Sequence, residues 1–464
     1  MTSLSNPAPA DQISTPGLGK ALEARHVAMI SIGGIIGAGL FVGSSAAIHS
    51  IGPAVIVSYG LAGLMILLVM RMLSEMAMAA PEVGSFTEYA RLGLGRWAGF
   101  TSGWLYWYFW VVVVAIEAIA GAKLIQDWLP GLPIWLIGSV LLGTMTAINL
   151  MSTRSYGEFE FWFASIKVAA IIAFIVVGAS FLLGFPAGHT GGLSLLTAHG
   201  GFAPFGPVSV LAGVTSVIFA LCGAEIATIA AAESAEPART IAKMTGSVVL
   251  RIMLFYIASM TLIVAIVPWD TIQPGQSPFA MVLETIGFPA AATVINIIVL
   301  TAVLSCLNSG LYVTSRVLFT LADKGDAPQA LVKVTQRQVP ARAILIASSF
   351  GYLALAASVL SPERVFAFLV NASGAIMLIV YLMIAAAQIV LRRKLEREAP
   401  ERLTLKMWLF PYASYAAIAA MLAVLVAMAL TPDLASQLYA SLGCLALVLI
   451  IYAAQVGWAR RVPV

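Results

Sequence analysis

Charge is what this sequence has least of. Across 464 residues, 10% are Asp, Glu, Lys or Arg and 61% are hydrophobic. A soluble protein is about a quarter charged, so a water-surrounded globule is excluded and an all-α polytopic membrane protein is expected. Cysteine is scarce too. Cys222, Cys306 and Cys444 each sit inside an apolar run, which leaves neither a disulfide framework nor a metal-ligand spacing, and no cofactor is expected. The four histidines, His26, His49, His189 and His199, fall at span ends or in loops. Proton chemistry at membrane depth therefore has to use carboxylates or lysine. No Ser/His pair, paired aspartates or metal ligands stand at depth, so an intramembrane enzyme is not expected. No soluble domain interrupts the apolar pattern, which argues against a receptor. The net charge of +4 is accounted for by topology and implies no nucleic acid.

What is present is a series of apolar runs of about twenty residues, the length that crosses a bilayer. Twelve are expected, at 26–49, 53–80, 98–128, 132–150, 158–184, 208–232, 245–268, 288–322, 341–360, 362–391, 407–430 and 434–458. Residues 1–24 carry Pro7, Pro9 and Pro16 and read as a disordered cytoplasmic tail. Nothing there resembles a cleavable signal peptide, so the first span should double as the insertion signal. Lys and Arg cluster in alternate loops, from Lys20 and Arg25 through Arg91 and Arg96 to the run Arg392 to Lys406 and Arg460 with Arg461. The loop from Gly184 to Pro207 has none. By the positive-inside rule both termini are cytoplasmic. A short amphipathic piece at 81–96 is expected on that same surface.

Two spans are written against the grain. Gly33 to Gly43 holds five glycines in eleven residues, although glycine costs about 1 kcal/mol against alanine in a helix interior. Close helix packing accounts for this, since Gly33/Gly37 and Gly39/Gly43 have small-xxx-small spacing. So does a helix that unwinds at Gly37-Ala38-Gly39 and turns free backbone groups into a cavity. Span 6 repeats the anomaly in Phe219-Ala220-Leu221-Cys222-Gly223-Ala224-Glu225, where a glycine stands beside a carboxylate. Spans five apart and opposite in direction suggest an inverted five-plus-five repeat, with halves at 25–184 and 208–391 and two further helices at 407–459. The outer half of span 1 would then present its positive end to a carboxylate, and the end of the outer half of span 6 would present carbonyls to an ammonium. That makes a site for a zwitterion.

Several charges lie within spans. Glu117, inside Trp110 to Ile119, either snorkels outward or faces the cavity as a carboxylate that takes up and releases a proton. Lys167, nine residues into span 5, needs a carbonyl cluster or a counter-ion. Glu225 and Glu233, with Glu158 and Glu160 at the start of span 5, are expected to pair in part with Arg71, Arg251 or Arg316. The series Trp104 to Trp110 reads as an interfacial or packing belt.

Several motifs carry a resemblance: Ser31 to Ser45; Gly95-Arg96-Trp97-Ala98-Gly99 running into Gly103-Trp104-Leu105-Tyr106-Trp107; Tyr156 to Trp162; Gly223-Ala224-Glu225-Ile226; Ser305-Cys306-Leu307-Asn308-Ser309; and Ser373-Gly374-Ala375. With these the chain resembles the amino acid–polyamine–organocation superfamily, in the bacterial amino acid transporter branch that contains the GABA permeases. The resemblance implies a leucine-transporter-type fold with discontinuous helices 1 and 6. It also implies proton-coupled symport of GABA or a related small zwitterion at the bacterial inner membrane, by a monomer or weak homodimer. The alternatives are a permease for alanine, glycine, proline or aromatic amino acids, or a sodium symporter. By motif, Gly37, Ala38 and Gly39 match the carboxylate-binding loop, although Ala38 stands where the family often has serine. Phe219 matches an aromatic that closes over substrate, and the carbonyls of Phe219 and Cys222, beside Gly223, match the amine site. Ser373 matches a span 10 contact. Lys167 matches the lysine that stands where sodium-dependent relatives bind sodium, and with Glu117 and Glu225 it is a candidate for proton coupling.

Overall fold

The computed structural model of the chain describes residues 24–80, 83, 85–151, 153–184, 192–226, 228–229, 237–360 and 362–459. Every regular element among them is helical. In chain order these are α1 (Ala24–Gly33), α2 (Ser44–Ile51), α3 (Val55–Ala79), α4 (Phe86–Leu94), α5 (Arg96–Trp128), α6 (Ile134–Met151), α7 (Thr153–Leu182), α8 (Gly206–Ala212) and α9 (Val214–Leu221). They continue with α10 (Pro237–Ile266), α11 (Pro278–Thr285), α12 (Pro289–Asp323), α13 (Ala341–Ser358), α14 (Pro362–Glu398), α15 (Tyr412–Leu430) and α16 (Pro432–Ala459). A π turn, Gly39–Gly43, leads into α2. The tail, Glu233, Arg460 and Arg461 lie outside the described residues.

Nine of the described helices are long and apolar enough to cross a membrane. The protein is therefore an all-helical polytopic membrane protein. Two segments read from the sequence as spans carry shorter apolar helices instead, Gly39–Ile51 and Gly206–Leu221, while in a third the apolar stretch Met253–Ile266 is the end of the 30-residue α10. The first two are short because regular helix stops at Gly33 and at Leu221.

Lipid gives helices no hydrophobic reason to associate, so close packing and polar contacts have to hold the bundle. α5 runs through its middle against α12 and α14, while α1 lies on α7 and α3 on α10. Glycine permits this approach: a Cβ on Gly103 would lie 2.6 Å from Leu321, and one on Gly310 would lie 2.8 Å from Val114. The piece expected at 81–96 contains α4, and it is docked into the bundle, with Phe86 and Tyr89 buried. Arg91 and Arg96 both reach the carboxylate of buried Asp326, and Trp104 Nε1 donates to the Asp326 carbonyl at 3.2 Å. Nearby, buried Glu75 accepts from Gln388 Nε2 at 2.7 Å, from Arg392 and from the Met407 N–H, tying α3 to α14 and to the chain before α15.

At the opposite end of the bundle two connections cross the tip of α2. His199 Nδ1 lies 2.9 Å from Asp270, Trp269 Nε1 donates to the His199 carbonyl at 3.2 Å, and the Gly275 N–H donates to Ser45 Oγ at 2.9 Å.

Candidate substrate site between two broken helices

Both interruptions suggested by the glycines are present, and they touch, although the first opens at 34–37 and Ala38 and Gly39, expected within it, are already helical. α1 ends at Gly33 and helix resumes at Ala38, running into the π turn at Gly39. α9 ends at Leu221, where Cys222 turns extended at φ −64°, ψ 150°. Gly223 follows at φ +118°, a conformation that disfavours any side chain. A Cβ there would lie 2.6 Å from the Gly34 carbonyl oxygen, and one on Gly39 would lie 2.7 Å from Ala220 Cα. Packing and opening thus coincide: glycine lets the two breaks meet backbone to backbone, and the junction borders a cavity. Tyr256 on α10 bridges it. Its hydroxyl donates toward Ala220 O at 2.8 Å and Ile35 O at 3.1 Å.

The cavity is lined by Gly34, Ile35, Gly37, Gly39, Phe109, Trp110, Val113, Glu117, Phe219, Cys222 and Cys306. Its free room is about 10 Å³, space for one water. In this state the cavity has no room for a solute larger than water.

Glu117 does not snorkel. It is 1% exposed, and its two carboxylate oxygens accept the Ala38 N–H at 3.1 and 3.2 Å. Ala38 opens the resumed helix, so the carboxylate occupies the place where a helix start attracts an anion. Lys167 lies at the matching negative end. Its ammonium donates to Gly33 O at 2.6 Å, Ile36 O at 2.8 Å and Ser305 Oγ at 2.7 Å. These carbonyls are left without helical partners where α1 stops. Glu225 lies apart from both. It is fully buried and accepts from Tyr106 at 3.1 Å, from Tyr381 at 3.0 Å and from the Gly223 N–H at 3.2 Å.

Of the residues matched by motif, Gly37, Gly39, Phe219 and Cys222 line the cavity beside Glu117. Ala38 contributes its N–H, and Gly223 braces the junction. Ser373 is buried on α14 and is not one of the lining residues; its neighbour Gly374 presses on α9, where a Cβ would lie 2.2 Å from the Thr215 carbonyl oxygen.

For Glu160 and Glu225 the partners are hydroxyls, a lysine and a backbone amide rather than the expected arginines. Glu158 pairs with His26 at 3.1 Å, Glu160 accepts from Ser305 near Lys167, and Arg71 donates to the Lys406 carbonyl at 2.7 Å. The belt expected at Trp104 to Trp110 is also only part of the account, since Phe109 and Trp110 wall the cavity and Tyr106 holds Glu225. Sequence reasoning missed Tyr256 and Tyr381 altogether. Each looks like one more aromatic in an apolar run, and only the fold shows what its hydroxyl reaches. Cys306 was visible as part of a motif but had no role until the cavity was seen.

A helical membrane bundle in which two breaks present opposite backbone ends to one cavity is built for moving a small solute, and the protein is a transporter rather than an enzyme. The chain belongs to the amino acid permease family, whose model matches residues 26–464. It is 51% identical to a gamma-aminobutyric acid permease of Bacillus subtilis (strain 168) over 440 residues, 95% of this chain and 94% of that one. It is 45% identical to a gamma-aminobutyric acid permease of Escherichia coli (strain K12), covering 89% of each. The aromatic amino acid transport protein AroP of Escherichia coli (strain K12) is 38% identical, over 91% of this chain and 92% of that one.

Proposed function

We propose that this protein imports GABA, or a closely related small zwitterionic amino acid, together with protons across the bacterial inner membrane by alternating access. Its twelve spans form an inverted repeat, 25–184 and 208–391, followed by two helices at 407–459, with both termini cytoplasmic. The substrate class is supported by two relatives, 45% and 51% identical, that are named for gamma-aminobutyric acid. The mechanism rests chiefly on one observation: the Ala38 N–H already holds a carboxylate, that of Glu117.

That contact suggests how proton and substrate are linked. An ionised Glu117 satisfies the amide at the helix start. A proton removes its charge and weakens its hold, freeing the amide for the carboxylate of the substrate. The substrate ammonium is then held at the end of α9, by carbonyls around Phe219 and Cys222. Substrate and proton thus arrive together because a single backbone position serves one carboxylate at a time. Lys167 contributes a fixed positive charge beneath the break, and Tyr106 and Tyr381 hold the Glu225 carboxylate beside Gly223.

The test is uptake of a labelled amino acid panel into proteoliposomes under an imposed inward proton gradient. GABA uptake that follows the gradient and ignores sodium is expected. Glu117→Gln, which mimics the protonated carboxyl, should bind and exchange substrate yet fail to accumulate it. Sodium-stimulated uptake without pH dependence would overturn the mechanism. Uptake of aromatic amino acids in preference to GABA would overturn the substrate.

A further inference from the structure

Glu160 has no part in that mechanism, yet it is fully buried on α7 against the residues the mechanism depends on. Its Oε1 accepts from Ser305, lies 4.0 Å from Lys167 Nζ, and crowds Gly33 so closely that a Cβ there would be 1.8 Å away. Ser305 Oγ also accepts from Lys167 at 2.7 Å, so one hydroxyl links the ammonium to the carboxylate. The surroundings are sparing in charge. α5 brings Glu117, α12 brings Cys306 with the neutral Asn308 and Ser309, and α1 brings the Gly33 and Ile36 carbonyls. His26 of α1 is engaged with Glu158. One cation therefore stands between two buried carboxylates.

We infer that Glu160 is a positioning residue for coupled transport: it is the standing counter-ion of Lys167, and by balancing that charge it leaves Glu117 free to exchange its proton. The role in coupling rests on the reading that Glu117 carries the proton; the pairing itself does not. A buried ammonium without its counter-ion is strongly unfavourable. With Glu160 neutral, Lys167 would draw on the next carboxylate, Glu117, and hold it ionised. Ser305 keeps the ammonium over the carbonyls that end α1, so the same pairing also sets where that half-helix stops.

The experiment has two arms. In the first, the pH dependence of uptake into proteoliposomes is compared for wild type and Glu160→Gln. The half-maximal pH is expected to move to lower pH by about one unit or more, the size of effect an unbalanced opposite charge has on a neighbouring carboxyl. Glu160→Asp, which keeps the charge, should stay near wild type. In the second arm, thermal stability in detergent is measured for Glu160→Gln, Lys167→Met and the double variant. Each single variant leaves one buried charge unbalanced, so the double should lose less than the sum of the two. An unmoved pH profile in Glu160→Gln, or strictly additive losses, would overturn the inference. Should Glu160→Gln not be recovered from membranes, the double variant decides: recovery supports charge balance, and renewed failure refutes it. Normal accumulation by Glu117→Gln would sink the proposed coupling while leaving the stability arm to judge the pair.

Discussion

Tyr256 has one hydroxyl proton and two carbonyls within reach of it, Ala220 O and Ile35 O, one from each broken segment. Removing that hydroxyl strands two buried acceptors at the junction of the breaks. Tyr256→Phe is therefore expected to lower initial uptake roughly tenfold, in keeping with about 1–3 kcal/mol for a buried polar group left unpaired. An unchanged rate in the reconstituted variant would show that the two segments hold their places without the bridge. Glycine at the same junction permits no such graded change. Because Gly39 lies against the Ala220 backbone and Gly223 against that of Gly34, Gly39→Val and Gly223→Ala should both reduce the yield of folded protein. Size-exclusion profiles of the two variants would check this. A monodisperse Gly39→Val that merely fails to bind would instead favour a purely ligand-facing role.

At the level of helices, one carboxylate ties α4 and the start of α5 to the chain after α12. Asp326 is buried and serves both Arg91 and Arg96, so Asp326→Asn should cost up to about 3 kcal/mol, the low end of the roughly 3–5 kcal/mol for breaking a fully buried ion pair, because both arginines are partly exposed. A drop in melting temperature in detergent is the readout, and Glu88, the more local partner of Arg91, should matter less. The elements themselves were largely legible beforehand. Bilayer thickness dictates run length, which is why spans expected at 98–128 and 132–150 appear as Arg96–Trp128 and Ile134–Met151. The breaks were legible as well, because five glycines in eleven residues and a glycine beside Glu225 are costly in an ordinary span. The partners of the deep charges were not. Ser305 is 145 residues from Glu160, and Tyr381 is 156 from Glu225, so no local pattern reports those contacts. The same distance concealed Tyr256, whose neighbours Phe255 and Ile257 advertise only packing.

For the whole molecule, orientation is the property most open to direct test. Single cysteines placed at 192–205 should react with an impermeant maleimide added to intact cells, and those placed at 326–338 should react only after lysis. Equal labelling at both places would contradict the proposed topology. The chain also contains a cation that cannot be washed away. A free metal ion resting on Gly33 O and Ile36 O would come and go by mass action, and its occupancy would follow the salt outside. The ammonium of Lys167 is tied to the backbone, so its effective concentration does not depend on the medium. Such a position is as full in fresh water as in brine, and replacing sodium by choline should leave initial uptake unchanged. The same tether means that no metal ion leaves this position on the far side of the membrane, so a sodium gradient has nothing to pull on there.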